Sequence, residues 1–471
     1  MNMKRMKMHK LSAVILSVAL LAGMLGGCGG KDTSKDAQGR TVISVGGWPQ
    51  KEGTNLDNYN ARKERFEKDN PDVVVEPNAW SFDRKSFYAK SAGGQLPTVY
   101  GVAYTEMPEI INSEYAADLT AVLKKRGYDD KFNQAVLDVV SKDGKIYAFP
   151  NNAYILGIGV NTDLFEKAGL METDGTPKQP KDWYELAEFA VKIKEATGKA
   201  GFVFPSSNNY VGWMFSCLGW SFGVDFMEKD ADGKWKATFN TPEAAAALGF
   251  IKDLKWKYDV LPSNAIIDGT EYYKTFAVGN AGMLMAAGDL PRNVFQYEMD
   301  RNTLGMIAMP AGPKKHVSLL GGTVFCINPN ATEDQIDAAV RWIETQTHYN
   351  ATDEFKTNAE DEMKKQLEEK RLIGVKSMSV WSSAADSLKF EYDLIDKNRN
   401  VDENHAKLYN NFVENCPAEI QPEEPVCAQE LYGVLDSCIQ EVLTNKEADC
   451  AALLEKANSD FQQNYLDNLV Y

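Results

Sequence analysis

The sequence of 471 residues predicts an α/β protein. Short runs rich in β-branched residues alternate with amphipathic helical segments, a pattern typical of a sheet covered by helices. No internal repeat interrupts this alternation. After removal of a short N-terminal segment roughly 440 residues remain, which is enough for two or three compact lobes with cores of their own.

Local signals predict the order of the elements. Runs at 41–45 and 73–76 predict strands, and the segment 56–68 between them predicts a helix. Three further helices are predicted from patterns typical of helix starts: Asp182 with Glu185, Thr241 with Pro242, and Thr332 with Gln335. The first of these helices keeps its apolar residues on one face and is expected to end at Gly198.

The N-terminal segment predicts export from the cytoplasm. Residues 1–27 have the features of a secretory signal, a cationic start followed by an uncharged apolar run from Leu11 to Leu25. That run of about 15 residues is shorter than the roughly 20 that a membrane-spanning helix needs. The cationic residues are Lys4, Arg5, Lys7 and Lys10.

The end of this signal predicts a lipid anchor. The sequence Leu25-Gly26-Gly27-Cys28 resembles the bacterial lipobox, in which two small residues precede the cysteine that is acylated. We therefore expect lipidation at Cys28 and a flexible tether over 28–40. An ordinary cleaved signal is the alternative, but it does not require a cysteine at this position.

The charge of the chain limits its partners. Removal of the four basic residues of the signal leaves 47 basic and 67 acidic residues, a net charge of −20. Such an acidic surface argues against nucleic acid and against electrostatic adhesion to anionic lipid. Contact with the membrane is therefore expected through the lipid anchor only, since no later stretch is apolar enough to span a bilayer.

The cysteines and histidines do not predict a cofactor. Lipidation of Cys28 leaves six of the seven cysteines, and none of them is spaced as CxxC. An extracytoplasmic setting permits disulfides without requiring them, so the pairing stays open. Three histidines remain after the signal, and we expect neither a metal site nor a cofactor.

One motif suggests an enzyme and is interpreted as a chance match. Residues 219–223 satisfy the G-x-S-x-G pattern of a hydrolase nucleophile elbow. The preceding segment is broken by Gly212 and rich in aromatic residues, whereas an elbow follows a buried apolar strand. We expect no catalysis. A glycoside hydrolase stays as the enzyme alternative, because paired carboxylates are not excluded in so acidic a chain.

Several motifs in a fixed order resemble one family. Residues 144–150 (GKIYAFP) and 160–169 (VNTDLFEKAG) are similar to a hallmark of the family 1 extracellular solute-binding proteins, the receptors of ABC importers. Other matching pieces follow the expected order: 70–72, 96–97, 182–183, 276–283, 309–313, 321–322, 327–330 and 440–454. The resemblance covers about 40–345 and 430–471, whereas 350–430 departs from the shorter members.

The resemblance implies a two-lobed fold of the periplasmic-binding-protein type (type II) with crossing hinge strands. The implied lobe one comprises 41–150 plus 322–350, and the implied lobe two comprises 154–317 plus 355–471. Gly321 and Gly322 are the expected hinge, because glycine absorbs backbone rotation at low steric cost. An ordinary glycine turn is the alternative.

Aromatic and polar residues after the strands indicate a sugar site, because sugar rings stack on aromatic rings and their hydroxyls bond to carboxylates and amides. The aromatic residues themselves suggest Trp80 and Trp220, and the C-terminal part adds Tyr432. The resemblance implies these further ligand contacts: Trp48, Tyr104, Thr105, Glu106, Tyr154, Asn208, Tyr210, Trp213 and Asp289. Burial in a core is the alternative for any tryptophan, and an ion pair with Arg292 is the alternative for Asp289.

The function that these observations predict is solute capture. The resemblance implies a monomeric receptor that binds a carbohydrate, an oligosaccharide, between its lobes and delivers it to the transmembrane subunits of an ABC permease. A lipid tether favours the surface of a Gram-positive cell. The alternatives are the glycoside hydrolase and a receptor for a non-sugar solute on the same fold.

Overall fold

The structure is a computed structural model that describes residues 34–415 and 418–469. The predicted signal, the predicted lipidation site Cys28, and Cys416 lie outside the described residues. The described end of the predicted tether is bound to the protein body, since the Val42 amide donates to the carbonyl of Ser34. Lys35 also pairs with Asp334 at 2.6 Å.

The strands and helices alternate along most of the chain, which confirms the α/β class. The strands are β1 Thr41–Val45, β2 Val73–Pro77, β3 Val99–Ala103, β4 Ser141–Lys142, β5 Lys145–Ile146, β6 Phe149–Asn161, β7 Ala200–Val203, β8 Met227–Lys229, β9 Trp235–Ala237, β10 Ala281–Ala287, β11 Leu304–Ile307, β12 Val317–Ile327 and β13 Glu419–Pro422.

The helices before β12 are α1 Thr54–Asp69, α2 Arg84–Ala92, α3 Met107–Asn112, α4 Thr120–Lys125, α5 Gln134–Val139, α6 Thr162–Lys167, α7 Trp183–Thr197, α8 Tyr210–Phe222, α9 Pro242–Trp256, α10 Gly269–Ala277 and α11 Leu290–Phe295. Those after β12 are α12 Glu333–Glu344, α13 Asp353–Glu368, α14 Asp386–Asn398, α15 Glu403–Glu414, α16 Ala428–Thr444 and α17 Cys450–Asn464.

Two long strands connect the lobes. In the described part of the chain nine strands join in the order β2-β1-β3-β12-β6-β10-β7, with β11 paired to β6 and β13 paired to β12. β6 and β12 are antiparallel and run through both halves of this sheet. Lobe one is built on β1, β2 and β3, and lobe two on β7, β10 and β11, so the chain crosses between the lobes along β6 and β12.

The predicted local signals are confirmed. The Asp182 side chain accepts from the Glu185 amide at the start of α7, and Gly198 ends that helix with φ 69°. Thr241 caps α9 in the same way. At α12 both hydrogen bonds of a capping box are present. These signals succeed because a cap depends only on residues within one helical turn.

The two glycines of the predicted hinge lie at the crossing. Gly322 has φ 138°, and a Cβ there would lie 2.2 Å from the carbonyl oxygen of Asn152, so only glycine fits without displacing β6. The register of the ladder between β6 and β12 shifts between Thr323 and Val324. The hinge function of Gly321 and Gly322 stays a prediction.

The segment that departs from the family pattern packs on both lobes. Trp381 stacks on Phe132 of lobe one with ring centroids 5.3 Å apart. Further along, the Tyr409 hydroxyl on α15 donates to the carbonyl of Ile155 in lobe two at 3.1 Å. The predicted lobe-two range 355–471 therefore includes a stretch on lobe one, because aromatic rings there provide an apolar surface for Trp381.

Candidate functional site

A cavity of about 590 Å³ lies between the two lobes at the crossing strands. This cavity, here called the cleft, has a volume within the range of roughly 300–1,000 Å³ that is typical of small-molecule sites. Lobe one supplies Phe82, Asp83, Arg84, Ala103, Thr105 and Glu106. The crossing strands supply Asn152, Tyr154, Gly322 and Thr323, and the segment after β13 supplies Glu423, Ala428, Gln429 and Glu430.

Lobe one contributes a charged wall. β3 ends in a short 3-10 turn, Tyr104–Glu106, which places Thr105 and Glu106 at the cleft. Arg84 at the start of α2 lies 2.5 Å from Glu109 and 3.7 Å from Glu106. Burial raises the pKa of Glu106, although the charge of Arg84 opposes that shift. This cation is therefore already paired with carboxylates of its own lobe.

The floor of the cleft is the aromatic ring of Tyr154, which packs against a glycine. The ring of Tyr154 lies directly against Gly321, where a Cβ would come within 2.1 Å of it. Tyr154 also meets Trp213 of lobe two edge to face, with ring centroids 6.4 Å apart and an interplanar angle of 72°. Both side chains are partly exposed, so they offer ring surface on which a sugar can stack.

A carboxylate of lobe two meets a hydroxyl of lobe one. The Thr105 hydroxyl donates a hydrogen bond to Glu423 across 318 positions of sequence. Burial raises the pKa of Glu423, whereas the donors Thr105, Trp213 and Tyr432 that face it oppose the shift. In the described residues no ion pair is formed by Glu423, so this carboxylate is met by neutral hydrogen-bond donors alone.

The start of α8 fixes the position of Trp213. Sequence reasoning interprets the region around Gly212 as broken, yet α8 runs through it without interruption. Gly212 allows α8 to approach α16, since a Cβ there would lie 2.1 Å from the carbonyl oxygen of Tyr432. Asp436 of α16 accepts from the amides of Asn209 and Gly212 at 2.8 and 2.7 Å.

Three more of the predicted residues lie on the surface of lobe two, outside the cleft lining. Asn208 is exposed with φ 61°, and the Tyr210 ring is 42% exposed beside Gly269. Asp289 is exposed and accepts from the Asn293 side chain at 3.0 Å. Within the described part of the chain no ion pair joins Asp289 to Arg292, the partner considered as an alternative.

Three predicted tryptophans pack within the lobes. Trp48 is 3% exposed and stacks on Trp342 at 5.9 Å in the core of lobe one. Trp220 is fully buried, and its indole N–H donates to Glu424 at 2.8 Å. Trp80 packs against neighbouring aromatic rings outside the cleft lining. These placements follow the core alternative for a tryptophan rather than the ligand contact.

Two predicted tyrosines lie behind the cleft walls. Tyr104 and Tyr432 are each 1% exposed, and neither hydroxyl makes a hydrogen bond of ordinary geometry within the described residues. The Tyr104 ring supports Gly322 from the side of lobe one, and the Tyr432 hydroxyl faces Glu423. The structure therefore brings together Thr105, Glu106, Tyr154 and Trp213, with these two tyrosines one layer behind.

Several cleft residues escape sequence reasoning. Lobe one adds Arg84, whose position at the start of α2 carries no distinctive motif. The other missed residues are Phe82, Asp83, Ala103, Asn152, Thr323, Glu423, Ala428, Gln429 and Glu430. Their shared signal is weak, because the acidic pair in residues 422–425 (PEEP) is one of many in this chain.

The hydrolase motif does not form a nucleophile elbow. Ser221 lies in the last turn of α8, is 1% exposed, and donates to the carbonyl of Leu218 at 2.6 Å. Its hydroxyl also accepts from the indole of Trp183 at 3.0 Å. A buried hydroxyl that is satisfied on both sides is not presented to a substrate.

The described part of the chain contains no disulfide. The cysteines there are unpaired: Cys217, Cys326, Cys427, Cys438 and Cys450. Across 34–415 and 418–469 no three His, Cys, Asp or Glu side chains form a group that could hold a metal ion. No helix in those residues is long and apolar enough to cross a bilayer.

Comparison of the sequence with known families gives one match. The profile described as "Bacterial extracellular solute-binding protein" matches residues 61–361. The sn-glycerol-3-phosphate-binding periplasmic protein UgpB of Escherichia coli O1:K1 / APEC is 24% identical over 352 residues, which covers 71% of this chain and 74% of that protein. The protein of the same name from E. coli strain K12 is 24% identical over 321 residues, 65% of this chain and 70% of that one.

Solved structures share the two-lobed fold. Maltose-bound MalE3 of T. maritima aligns with a TM-score of 0.60 at 22% identity, covering 90% of this chain and 99% of that one. The sugar-binding protein MalE of Xanthomonas citri aligns at 0.63 with 16% identity, covering 90% and 97%. UgpB of Mycobacterium tuberculosis, in complex with glycerophosphocholine, aligns at 0.62 with 17% identity, covering 90% and 98%. The predicted type II periplasmic-binding-protein architecture is confirmed.

Proposed function

The chain belongs to the bacterial extracellular solute-binding proteins, and from that premise we propose that it captures an oligosaccharide between its lobes for delivery to an ABC permease. The observation that carries this proposal is that Tyr154 and Glu423 line one cleft while Trp213, next to the lining, contacts both of them. Ring faces provide stacking for the C–H side of a sugar, and carboxylates accept from its hydroxyls.

The position of the cleft supports capture by domain closure. Its lining comes from lobe one, from both crossing strands and from lobe two, so a ligand in it contacts both lobes. Such a ligand binds a closed arrangement better than an open one and shifts the population toward closure. The contact between Thr105 and Glu423 indicates that the surfaces around these two residues meet when the lobes close. Closure then presents both lobes together to the transmembrane subunits of the permease.

A buried hydroxyl gives further support. The Tyr104 hydroxyl, beside the crossing strands, lacks a hydrogen-bond partner among the described residues. Buried polar groups are normally paired, and an unpaired one has an unfavourable free energy of about 1–3 kcal/mol. In this proposal a bound ligand, or the lobe movement that it induces, supplies the missing partner.

The proposal includes the location of the protein. A monomer anchored through a lipid on Cys28 would stay near its permease without an outer membrane to confine it, which favours a Gram-positive cell surface. Mass spectrometry of the protein purified from its native membrane would detect an acylated Cys28 at the new N-terminus. A mature chain that lacks acylation would contradict this part of the proposal.

A thermal-shift screen over mono- and oligosaccharides tests the capture function. A ligand that binds only the native state must raise the melting temperature, by an amount that grows with its concentration relative to Kd. The outcome that contradicts the proposal is a melting temperature unchanged across a broad glycan panel. Turnover of a chromogenic glycoside would instead support the glycoside hydrolase.

Trp213→Ala tests the site itself. Loss of one stacking ring should weaken binding by roughly tenfold or more, or about 1.4 kcal/mol or above, with little change in the free energy of unfolding. Calorimetric titration with the sugar found in the screen measures this change. Trp256→Ala is the matched control, because Trp256 is a partly exposed tryptophan of lobe two whose indole donates to the carbonyl of Val442 and not to a residue of the cleft. Equal affinity losses in the two variants would place the ligand elsewhere.

A further inference from the structure

The cleft is unbalanced in charge. Of the described residues that line it, four carry carboxylates and one carries a cation: Asp83, Glu106, Glu423, Glu430 and Arg84. Arg84 balances only part of the set, since it is shared between Glu106 of the lining, at 3.7 Å, and Glu109 outside the lining, at 2.5 Å. The lining therefore has an excess of negative charge enclosed between two protein walls.

One positively charged feature, the N-terminus of α16, opposes this excess but carries less charge. The N-terminus of α16 opens at Ala428, where no side chain caps it, and a helix end of this kind is equivalent to about half a positive charge. Glu430 lies in the first turn of the same helix and compensates that partial charge. The helix end therefore leaves Glu423 without a counter-charge, whereas Glu106 of lobe one shares Arg84 with Glu109.

The groups around Glu423 match those that hold an ammonium ion. Glu423 is half-buried, and Tyr154 and Trp213 present their rings beside it. Aromatic faces attract cations, and a desolvated carboxylate is stabilised by a paired ammonium. Behind Glu423, the buried Tyr432 hydroxyl faces the same carboxylate, so Glu423 is surrounded by neutral donors and not by a cation.

From this arrangement, and resting on the proposed function, we propose that the cleft selects saccharides that carry a protonated amine and rejects phosphorylated solutes. The ammonium group lies between the Glu423 carboxylate and the rings of Tyr154 and Trp213. Neutral sugars use the same hydroxyl contacts and bind more weakly. A phosphate meets the excess carboxylates and finds Arg84 already paired. The sn-glycerol 3-phosphate for which the E. coli relatives are named is therefore not the expected ligand.

Matched ligand pairs test this proposal by calorimetric titration. Each pair is a neutral sugar and its 2-amino analogue, from glucose and glucosamine to the N-acetylated and deacetylated forms of a β-1,4-linked dimer, with glycerol 3-phosphate as the anionic probe. At about pH 6.5 the amine is protonated. In any pair that binds, the amino sugar should have a Kd about tenfold lower than that of its neutral partner. The reason is that a charge-assisted hydrogen bond is roughly twice as strong as a neutral one.

Variants of the cleft glutamates test whether Glu423 causes the preference for amino sugars. Glu423→Gln should reduce the amine preference about tenfold while weakening the neutral sugar less, because the amide keeps an acceptor and loses the charge. Glu430→Gln should give a smaller reduction of the same sign. Glu195→Gln is the control, an exposed glutamate on α7 outside the cleft lining. Melting temperatures of all variants show whether they fold.

The outcomes separate this inference from the proposed function. Neutral sugars that bind as tightly as their amino analogues, or an unchanged preference in folded Glu423→Gln, would overturn the charge selection and leave sugar capture intact. Glycerol 3-phosphate with a Kd at or below that of the sugars would overturn it as well. A protein that binds no member of any pair would contradict the proposed function itself.

Discussion

Two tryptophan–glutamate pairs between α8 and the segment after β13 differ in their surroundings. Trp213 faces Glu423 at the cleft, and Trp220 donates to Glu424 in the core at 2.8 Å. The tryptophans are seven residues apart, two helical turns on one face of α8, and the glutamates are neighbours whose side chains point in opposite directions. The same two residue types therefore form a binding surface in one place and a structural contact in the other.

The difference lies in access to solvent. Glu423 and Trp213 are partly exposed beside a cavity, whereas Glu424 is 7% exposed and Trp220 has no exposed surface. Changes in the core pair should therefore alter the free energy of unfolding, and changes in the cleft pair should alter affinity. The largest expected effect is on the core pair, and the smallest is on the contact that joins the lobes at the cleft.

Trp220→Ala should reduce the free energy of unfolding by about 3–5 kcal/mol, because it leaves a cavity and a buried carboxyl group without its donor. Urea unfolding followed by circular dichroism measures the change. Trp256→Ala, which removes the exposed tryptophan of lobe two, should reduce the free energy of unfolding by only about 1 kcal/mol, because one hydrogen bond to Val442 is lost. A Trp220→Ala protein of normal stability and lost affinity would place Trp220 in the binding surface.

Glu424 should make stability depend on pH. Burial raises the pKa of this carboxyl from its ordinary 4.5 to about 7, so the folded state favours the protonated form. The folded state then binds more protons than the unfolded state between about pH 4.5 and pH 7, and its stability falls across that window as the pH rises. The loss approaches about 3 kcal/mol at most and is complete above about pH 7.

Glu424→Gln tests this dependence. The amide oxygen still accepts from Trp220 and does not ionise, so the variant should be more stable than the parent at pH 8 and similar to it at pH 4.5. Urea unfolding at several pH values measures the difference, and Glu195→Gln serves as a control for loss of an exposed charge. Parallel pH profiles for Glu424→Gln and the parent would show that Glu424 is not the group responsible.

The sequence predicts the local elements and part of the cleft. The cap at Asp182 is predictable because its partners lie within one turn. Thr105 and Tyr154 follow from the family resemblance and do line the cleft. Glu423 does not follow, because its contact with Thr105 joins residues 318 positions apart and no local pattern marks it.

The glycines of α8 explain why Trp220 is assigned to the cleft from sequence. Gly212 and Gly219 lower helix propensity, so the segment is interpreted as an aromatic loop. In the structure both glycines permit close packing, with Gly212 against the backbone of Tyr432 and Gly219 against the ring of Phe226. A glycine that serves tertiary packing has the same local signal as one that breaks a helix, so the sequence does not separate the two tryptophans.

Thr105→Val should have the smallest of these effects, and it changes a contact of the cleft alone. Valine keeps the shape of the side chain and removes the hydroxyl that donates to Glu423, a charge-assisted contact worth about 1–2 kcal/mol. Affinity for the captured sugar should fall by roughly tenfold, and small-angle scattering should show a larger ligand-free radius of gyration as closed forms become rarer. Thr357→Val, on the exposed face of α13, should change neither quantity. Unchanged affinity and radius in Thr105→Val would mean that the contact with Glu423 does not hold the two lobes together.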